Sequence, residues 1–144
     1  MTPRECSIRD ILDLLGPRWT LLVLRELVFG TTRFEAFIEA TGAPRNLVAD
    51  RLRRLEDAGL VGRTAYQQRP VRFDYHLTDT GRRAAEVLLV LMRIGDEART
   101  DDPPVRWHHG PLDHEHELDV ELVCRCCGEP ASQGLRNPSG RGAP

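Results

Sequence analysis

Arg45, Asn46, Ala49, Asp50 and Arg53 are residue types that can read DNA bases, and they lie close together in the chain. An arginine presents a planar fork that pairs bidentately with guanine, and an asparagine offers the donor and acceptor that match adenine. Each good pair is worth about 1–3 kcal/mol of discrimination between bases. At 3.6 residues per turn these five fall near the start of a helix or on the side facing away from Val48, Leu52 and Leu55. The i, i+4, i+7 spacing of those three marks an apolar stripe. A charged, solvated helix face is the plainer alternative for the same pattern. Arg33, Arg54, Arg69 and Arg72 are candidates for phosphate contacts, which set register and affinity without reading sequence. For any one of them, simple surface decoration is the competing reading.

The helix that would present these residues carries its own start and stop signals. Within the stretch Ala43 to Val61, Pro44 suits a first-turn position and Gly59 suits the left-handed residue that closes a helix, so the reading helix is placed at 44–58. Upstream, Ile8, Ile11, Leu12 and Leu15 predict a helix over Ser7–Leu15, with Ser7 as its cap and Gly16-Pro17 as its end. Arg18 to Phe29 is apolar on most sides and predicts the helix at the centre of the core. Phe34 to Ala40 predicts a short helix, preceded by a Thr31-Thr32-Arg33 connector that could add a small edge strand. After Leu60 the period drops to two: Val61, Arg63 and Ala65, then Phe73, Tyr75 and Leu77, predict two strands of a hairpin over 62–77 with Gln67-Gln68-Arg69-Pro70 at its tip. Thr78 or Asp79 then caps a long helix whose segment Ala84 to Gly95 is apolar around most of its circumference, more than a small domain can hide. It is read as the interface of a homodimer.

The fold class is therefore mainly α with a small β-hairpin wing (α+β), a winged helix-turn-helix with a long C-terminal dimerisation helix and a polar tail containing Cys and His. Residues 1–99 form the main domain. Residues 100–144 form the tail, with a small element over 105–130 and a disordered end. In a winged helix the reading helix enters the major groove and the hairpin lies along the neighbouring backbone, so double-stranded DNA is the expected partner.

Charge supports this once its distribution is considered. The chain has 144 residues and a net charge of −2, yet residues 44–72 hold seven arginines against three acids, while residues 100–144 hold four against eight. Every basic residue is arginine and none is lysine, a bias that a GC-rich coding sequence would also produce. The longest apolar run, Val87 to Met92, is far short of the roughly 20 residues of a membrane span. No basic segment followed by an apolar stretch opens the chain. A cytoplasmic protein with reduced thiols is expected, and no membrane partner.

Other residues carry possible chemistry. Trp19 begins the most apolar helix after a Gly-Pro break, and either lines a ligand pocket or is plain core. Cys6 stands at a helix N-terminus near Arg4 and Arg9, a setting that lowers a thiol pKa; an idle small residue is the alternative. Cys124-x-x-Cys127-Gly has the shape of half a zinc ribbon, and His108, His109, His114 and His116 could complete a site. Zinc bound by Cys124, Cys127, His108 and His109, a redox pair, and a vestigial knuckle all remain open. No phosphate-binding glycine loop and no G-x-S-x-G is present, so no enzyme is expected. A small metal-dependent enzyme built on the tail, or a winged helix that binds only protein, are the rival classes.

Three blocks give the chain a resemblance to the HxlR-type family of winged-helix transcription regulators, relatives of the MarR group. They are C-S-I-R-D-I-L-D-L-L-G-P-R-W-T-L-L-V-L-R-E-L from Cys6, R-F-E-A-F from Arg33 with G-A-P-R-N-L-V-A-D-R-L-R-R-L-E-D-A-G-L-V from Gly42, and R-P-V-R-F-D-Y-H-L-T-D-T-G from Arg69. The resemblance implies a homodimer joined through the first and last helices that binds a two-fold symmetric operator and usually represses. It also implies that Cys6 senses oxidants or electrophiles, so an electrophile or small-molecule effector is a further expected partner. Related tails pair the later cysteines with an upstream Cys-Gly. Here that region reads His108-His109-Gly110-Pro111.

Overall fold

The computed structural model of the chain describes residues 7–99, 105–111, 114, 116–118 and 120–131. Its helices stop where the sequence periodicity stops. α1 (Ser7–Leu15) and α2 (Arg18–Val28) meet at Gly16-Pro17, α3 (Phe34–Thr41) follows the threonine connector, and α4 (Arg45–Asp57) begins directly after Pro44. Pro44 is the N-cap of α4 and supplies no capping side chain, but its carbonyl accepts from the N–H groups of Leu47 and Val48 at 2.9 and 3.1 Å. At the other end Gly59 takes φ = 71°, and the Leu60 N–H reaches back to the Leu55 carbonyl at 2.9 Å. That left-handed conformation costs a residue with a Cβ about 1–2 kcal/mol and glycine almost nothing.

The stripe on α4 is buried as its spacing predicts. Val48, Leu52 and Leu55 join Val23, Leu24 and Leu27 of α2 and Phe37 of α3 in one apolar cluster. α2 is the hub of this layer, packing against α1, α3 and α4. Burying one such side chain stabilises the fold by about 1.5–3 kcal/mol, so α4 is held from behind and its outer side is free for other work.

β1 (Val61–Gln68) and β2 (Val71–Leu77) pair antiparallel from Val61↔Leu77 to Gln68↔Val71. The strands run further than their alternating residues predict, so the expected four-residue tip shrinks to Arg69-Pro70, joined by a cis peptide bond. A register shift between Ala65 and Gln67 leaves Tyr66 unpaired, the signature of a bulge that re-aims a side chain. The connector contributes a bridge and no strand of its own: Arg33 pairs with Asp74, and the Tyr75 N–H donates to the Thr32 carbonyl at 2.9 Å.

α5 (Asp79–Glu97) is tied to the end of α4 through Thr78. The Thr78 hydroxyl donates to the Gly59 carbonyl at 2.7 Å and accepts from the Gly81 N–H at 3.0 Å, so Thr78 is the cap. Gly81 lies so close to the chain at Leu60 that a Cβ would come within 1.9 Å of the Leu60 carbonyl oxygen. Ala85 and Leu88 are buried, whereas Val87, Leu91 and Ile94 are exposed.

Contacts divide the chain into two units, residues 1–91 and 92–144, with the division inside α5. The second holds β3 (His108–His109) paired with β4 (His116–Glu117), an Arg106–Glu117 ion pair at 2.9 Å, and a turn closed by a Val123↔Pro130 bridge. The expectation that the chain end is disordered falls largely on residues 132–144, outside the described residues. Among the described residues no helix is long and apolar enough to cross a membrane.

Candidate nucleic-acid interface

Because α4 buries one side, its geometry fixes what the other side can present. Asn46, Ala49, Arg53 and Arg54 are exposed, and Asp50 is partly so. Arg53 donates to the Asp50 carboxylate at 2.7 Å, Arg54 lies 3.1 Å from it, and Arg51 lies at 3.5 Å. The hydrogen bond from Arg53 comes first in holding the Asp50 carboxyl below the ordinary carboxylate range. Partial desolvation opposes the shift, and the charges of Arg54, Arg51 and Arg53 reinforce it. Asp50 is therefore an anion at any pH near neutral, set among three cations.

Arg45, at the start of α4, donates from Nη1 to Glu35 of α3 at 2.7 Å and lies over the Phe34 ring at 5.1 Å from its centroid. Arg33 is engaged more firmly. Its guanidinium stacks on Tyr66 at 3.5 Å from the ring centroid, and its Nε lies 2.5 Å from the Asp74 carboxylate. Arg33 thus straps the middle of the hairpin to the start of α3, with the bulge supplying the aromatic platform. At the hairpin end Arg69 and Arg72 are exposed, and neither has an ion-pair partner among the described residues.

Two members of this surface are not singled out by sequence reasoning. Arg63 of β1 pairs with Glu56 of α4 at 3.0 Å and lies over Phe73, and Tyr66 supports Arg33. Strand alternation places Arg63 on the face shared with Ala65, but only the packing of α4 against the hairpin brings Glu56 to it. Phe34, Ala49, Arg53, Glu56, Asp57, Arg63 and Tyr75 line an open groove of about 580 Å³ between α4 and the hairpin. The surface is thus a ridge of partnered arginines on α4, a groove, and a second ridge ending in bare arginines. That arrangement can follow a groove of a polyanionic helix and its flanking backbone.

The remaining sequence candidates are dispersed. Trp19 is half-buried, packs against the core and carries the Arg18 guanidinium over its ring at 4.8 Å. Cys6 lies outside the described residues. The structure does not bring the expected zinc set together among the described residues: His108 and His109 are consecutive in β3, so their side chains leave opposite faces, and Cys124 and Cys127 sit on a separate exposed turn. Among the described residues no three His, Cys, Asp or Glu side chains converge to hold a metal ion. In the turn, the N–H groups of Cys127 and then Cys126, followed by the Cys127 thiol, lower the Cys124 thiol pKa.

Comparison with known proteins decides the family. The HxlR-like helix-turn-helix family model matches residues 14–102. This chain belongs to that family. The HTH-type transcriptional regulator Rv3095 of Mycobacterium tuberculosis is 42% identical over 125 residues, spanning 85% of this chain and 78% of the relative. The regulator sll1512 of Synechocystis is 37% identical over 97 residues, 67% of this chain and 72% of its own. Among solved structures, PA1607, crystallised as a candidate transcription factor, matches with a TM-score of 0.79 at 25% identity over 93% of this chain and 95% of that one. The redox regulator HypR in its oxidised form matches with a TM-score of 0.57 at 28% identity, over 67% of this chain and all of that one (100%). The HxlR-like chain is therefore a helix-turn-helix transcriptional regulator with a winged-helix fold.

Proposed function

We propose that this HxlR-like chain is a homodimeric repressor that works in the cytoplasm and reads a two-fold symmetric operator in double-stranded DNA. α4 enters the major groove with Asn46, Ala49, Asp50 and Arg53 toward base edges, and Arg45 and Arg54 at its margins. The hairpin lies on the flanking backbone with Arg69 and Arg72 on phosphates, and Arg33 holds it there. The observation that carries the reading is the pairing of a helix whose inner stripe is buried and whose outer face is polar with a wing tip that ends in two arginines that have no ion-pair partner among the described residues. A winged helix specialised for protein partners would need aromatic or aliphatic anchors on the outward side of α4, and charged and polar side chains stand there: Asn46, Asp50, Arg53 and Arg54.

Dimerisation is supported by apolar surface that one subunit leaves uncovered. Ile8, Ile11 and Leu12 of α1 are 65, 42 and 54% exposed, and Val87, Leu91 and Ile94 of α5 are 40, 45 and 59% exposed, each set at helical spacing. A symmetric dimer then needs half-sites about 10–10.5 bp apart, or a multiple of that. Selection of bound duplexes from a random DNA pool tests the reading. An enriched two-fold symmetric site is expected, and recovery of none, with intact folded protein, would overturn it.

The controlling signal is proposed to be a thiol-reactive electrophile or a small ligand. HypR, a structural neighbour, is a redox regulator, and Cys6 immediately precedes α1. The Cys6→Ser variant is expected to bind DNA normally and to resist release by diamide. Release that survives the substitution removes Cys6 as the switch.

A further inference from the structure

Asp50 sits on the outward face of α4, where an acid opposes binding to a polyanion. At about 100° per residue it emerges opposite the buried Val48, Leu52 and Leu55, with Asn46 one turn before it and Arg53 and Arg54 one turn after. The pole of the outward face is therefore an anion among cations. Arg53 donates to it at 2.7 Å and Arg54 approaches at 3.1 Å, so both exposed guanidiniums have a partner before any DNA arrives.

We infer that Asp50 is a specificity-determining residue: it withholds Arg53 and Arg54 from phosphates and releases Arg53 only to a base sequence that also offers Asp50 a donor, with Arg54 remaining beside it. The inference rests on the DNA-binding reading above. A run of phosphates offers acceptors only. To give up both Arg53 and Arg54 there, Asp50 must remain in a negative field with only Arg51, 3.5 Å away, as a cationic neighbour. A G·C-containing step offers something else, since guanine O6 and N7 accept from an arginine fork while a cytosine amino group donates to a carboxylate. At such a step Arg53 can turn to guanine and Asp50 to cytosine, and no charge is stranded. Generic duplexes keep the arginines folded onto Asp50 and gain little from them. Because its arginines hold Asp50 ionised, this penalty is constant across neutral pH.

The test uses the full chain, the duplex enriched in the pool selection and a scrambled duplex of the same composition, over a salt series. Asp50→Asn preserves size and an oxygen acceptor and removes the charge. Scrambled DNA is expected to bind more tightly, with a log–log salt slope steeper by about one unit per subunit as a freed arginine takes a phosphate. The ratio of enriched to scrambled affinity is expected to fall at least tenfold. Repeated pool selection with the variant is expected to lose the preference at one G·C position. Asp50→Glu, which keeps the charge on a longer arm, is expected to keep scrambled binding weak. An unchanged ratio, or equal weakening on both duplexes by Asp50→Asn while Asp50→Glu behaves identically, overturns the inference. If the unsubstituted protein prefers no duplex over another, the underlying DNA reading fails as well, so the two failures are distinguishable.

Discussion

The arginines of α4 and those of the wing tip are the same residue type in opposite electrostatic settings. On and around α4 each outward arginine has an acid: Arg45 has Glu35, Arg53 and Arg54 have Asp50, and Arg63 of the adjoining strand has Glu56. At the wing tip Arg69 and Arg72 have none among the described residues. A partnered guanidinium is ordered and partly neutralised, so it gains little from a bare phosphate and more from a base edge that matches its fork. An unpartnered one keeps its full charge for the backbone and reads nothing. The difference separates reading from holding within one small surface.

The comparison presumes that helix and wing share a rigid frame, and Gly81 offers the largest way to break it. Its Cβ-free backbone meets Leu60, where the end of α4 runs into β1 and where β2 hands over to α5. Gly81→Ala forces that junction apart and is expected to cost about 3 kcal/mol of stability, the upper part of the range for overpacking, measurable by urea unfolding. Full stability in that variant would mean that the junction yields and that helix and wing can move independently. Next in size, Arg53→Ala is expected to cost about 1–3 kcal/mol at one base position of the operator while leaving binding to other sequences nearly unchanged, as read by competition with single-substitution duplexes. Smaller for any given sequence is the effect of removing Arg69 and Arg72 together. That change should weaken all duplexes alike and make the salt dependence shallower by about one unit per lost phosphate contact, with base preferences intact. If Arg53→Ala and the wing pair produced the same pattern, the division between reading and holding would be wrong.

Much of the scaffold was legible because it rests on local rules. The burial of Val48, Leu52 and Leu55 follows from their spacing, the end of α4 from Gly59, and the hairpin from the change of period after Leu60. Local rules also left gaps. Tyr66 belongs to no alternating pattern, because a bulge is an extra residue that breaks the period. The histidines and cysteines of the tail looked like one ligand set because they are near in sequence, yet adjacent strand residues diverge and the turn at Cys124 closes on Glu129 instead.

The chain alone determined which side of each helix is apolar, where the elements end and which cations crowd near α4, since these depend on spacing and on backbone preferences of single residues. Tertiary structure decided which cations are spoken for. Arg33 finds Asp74 only after the hairpin folds back onto the connector, and Arg45 finds Glu35 only after α3 and α4 cross. Ion pairing falls off over a few ångströms, so the packing of distant segments, which no local pattern encodes, sets whether an arginine reads, holds or merely braces the wing.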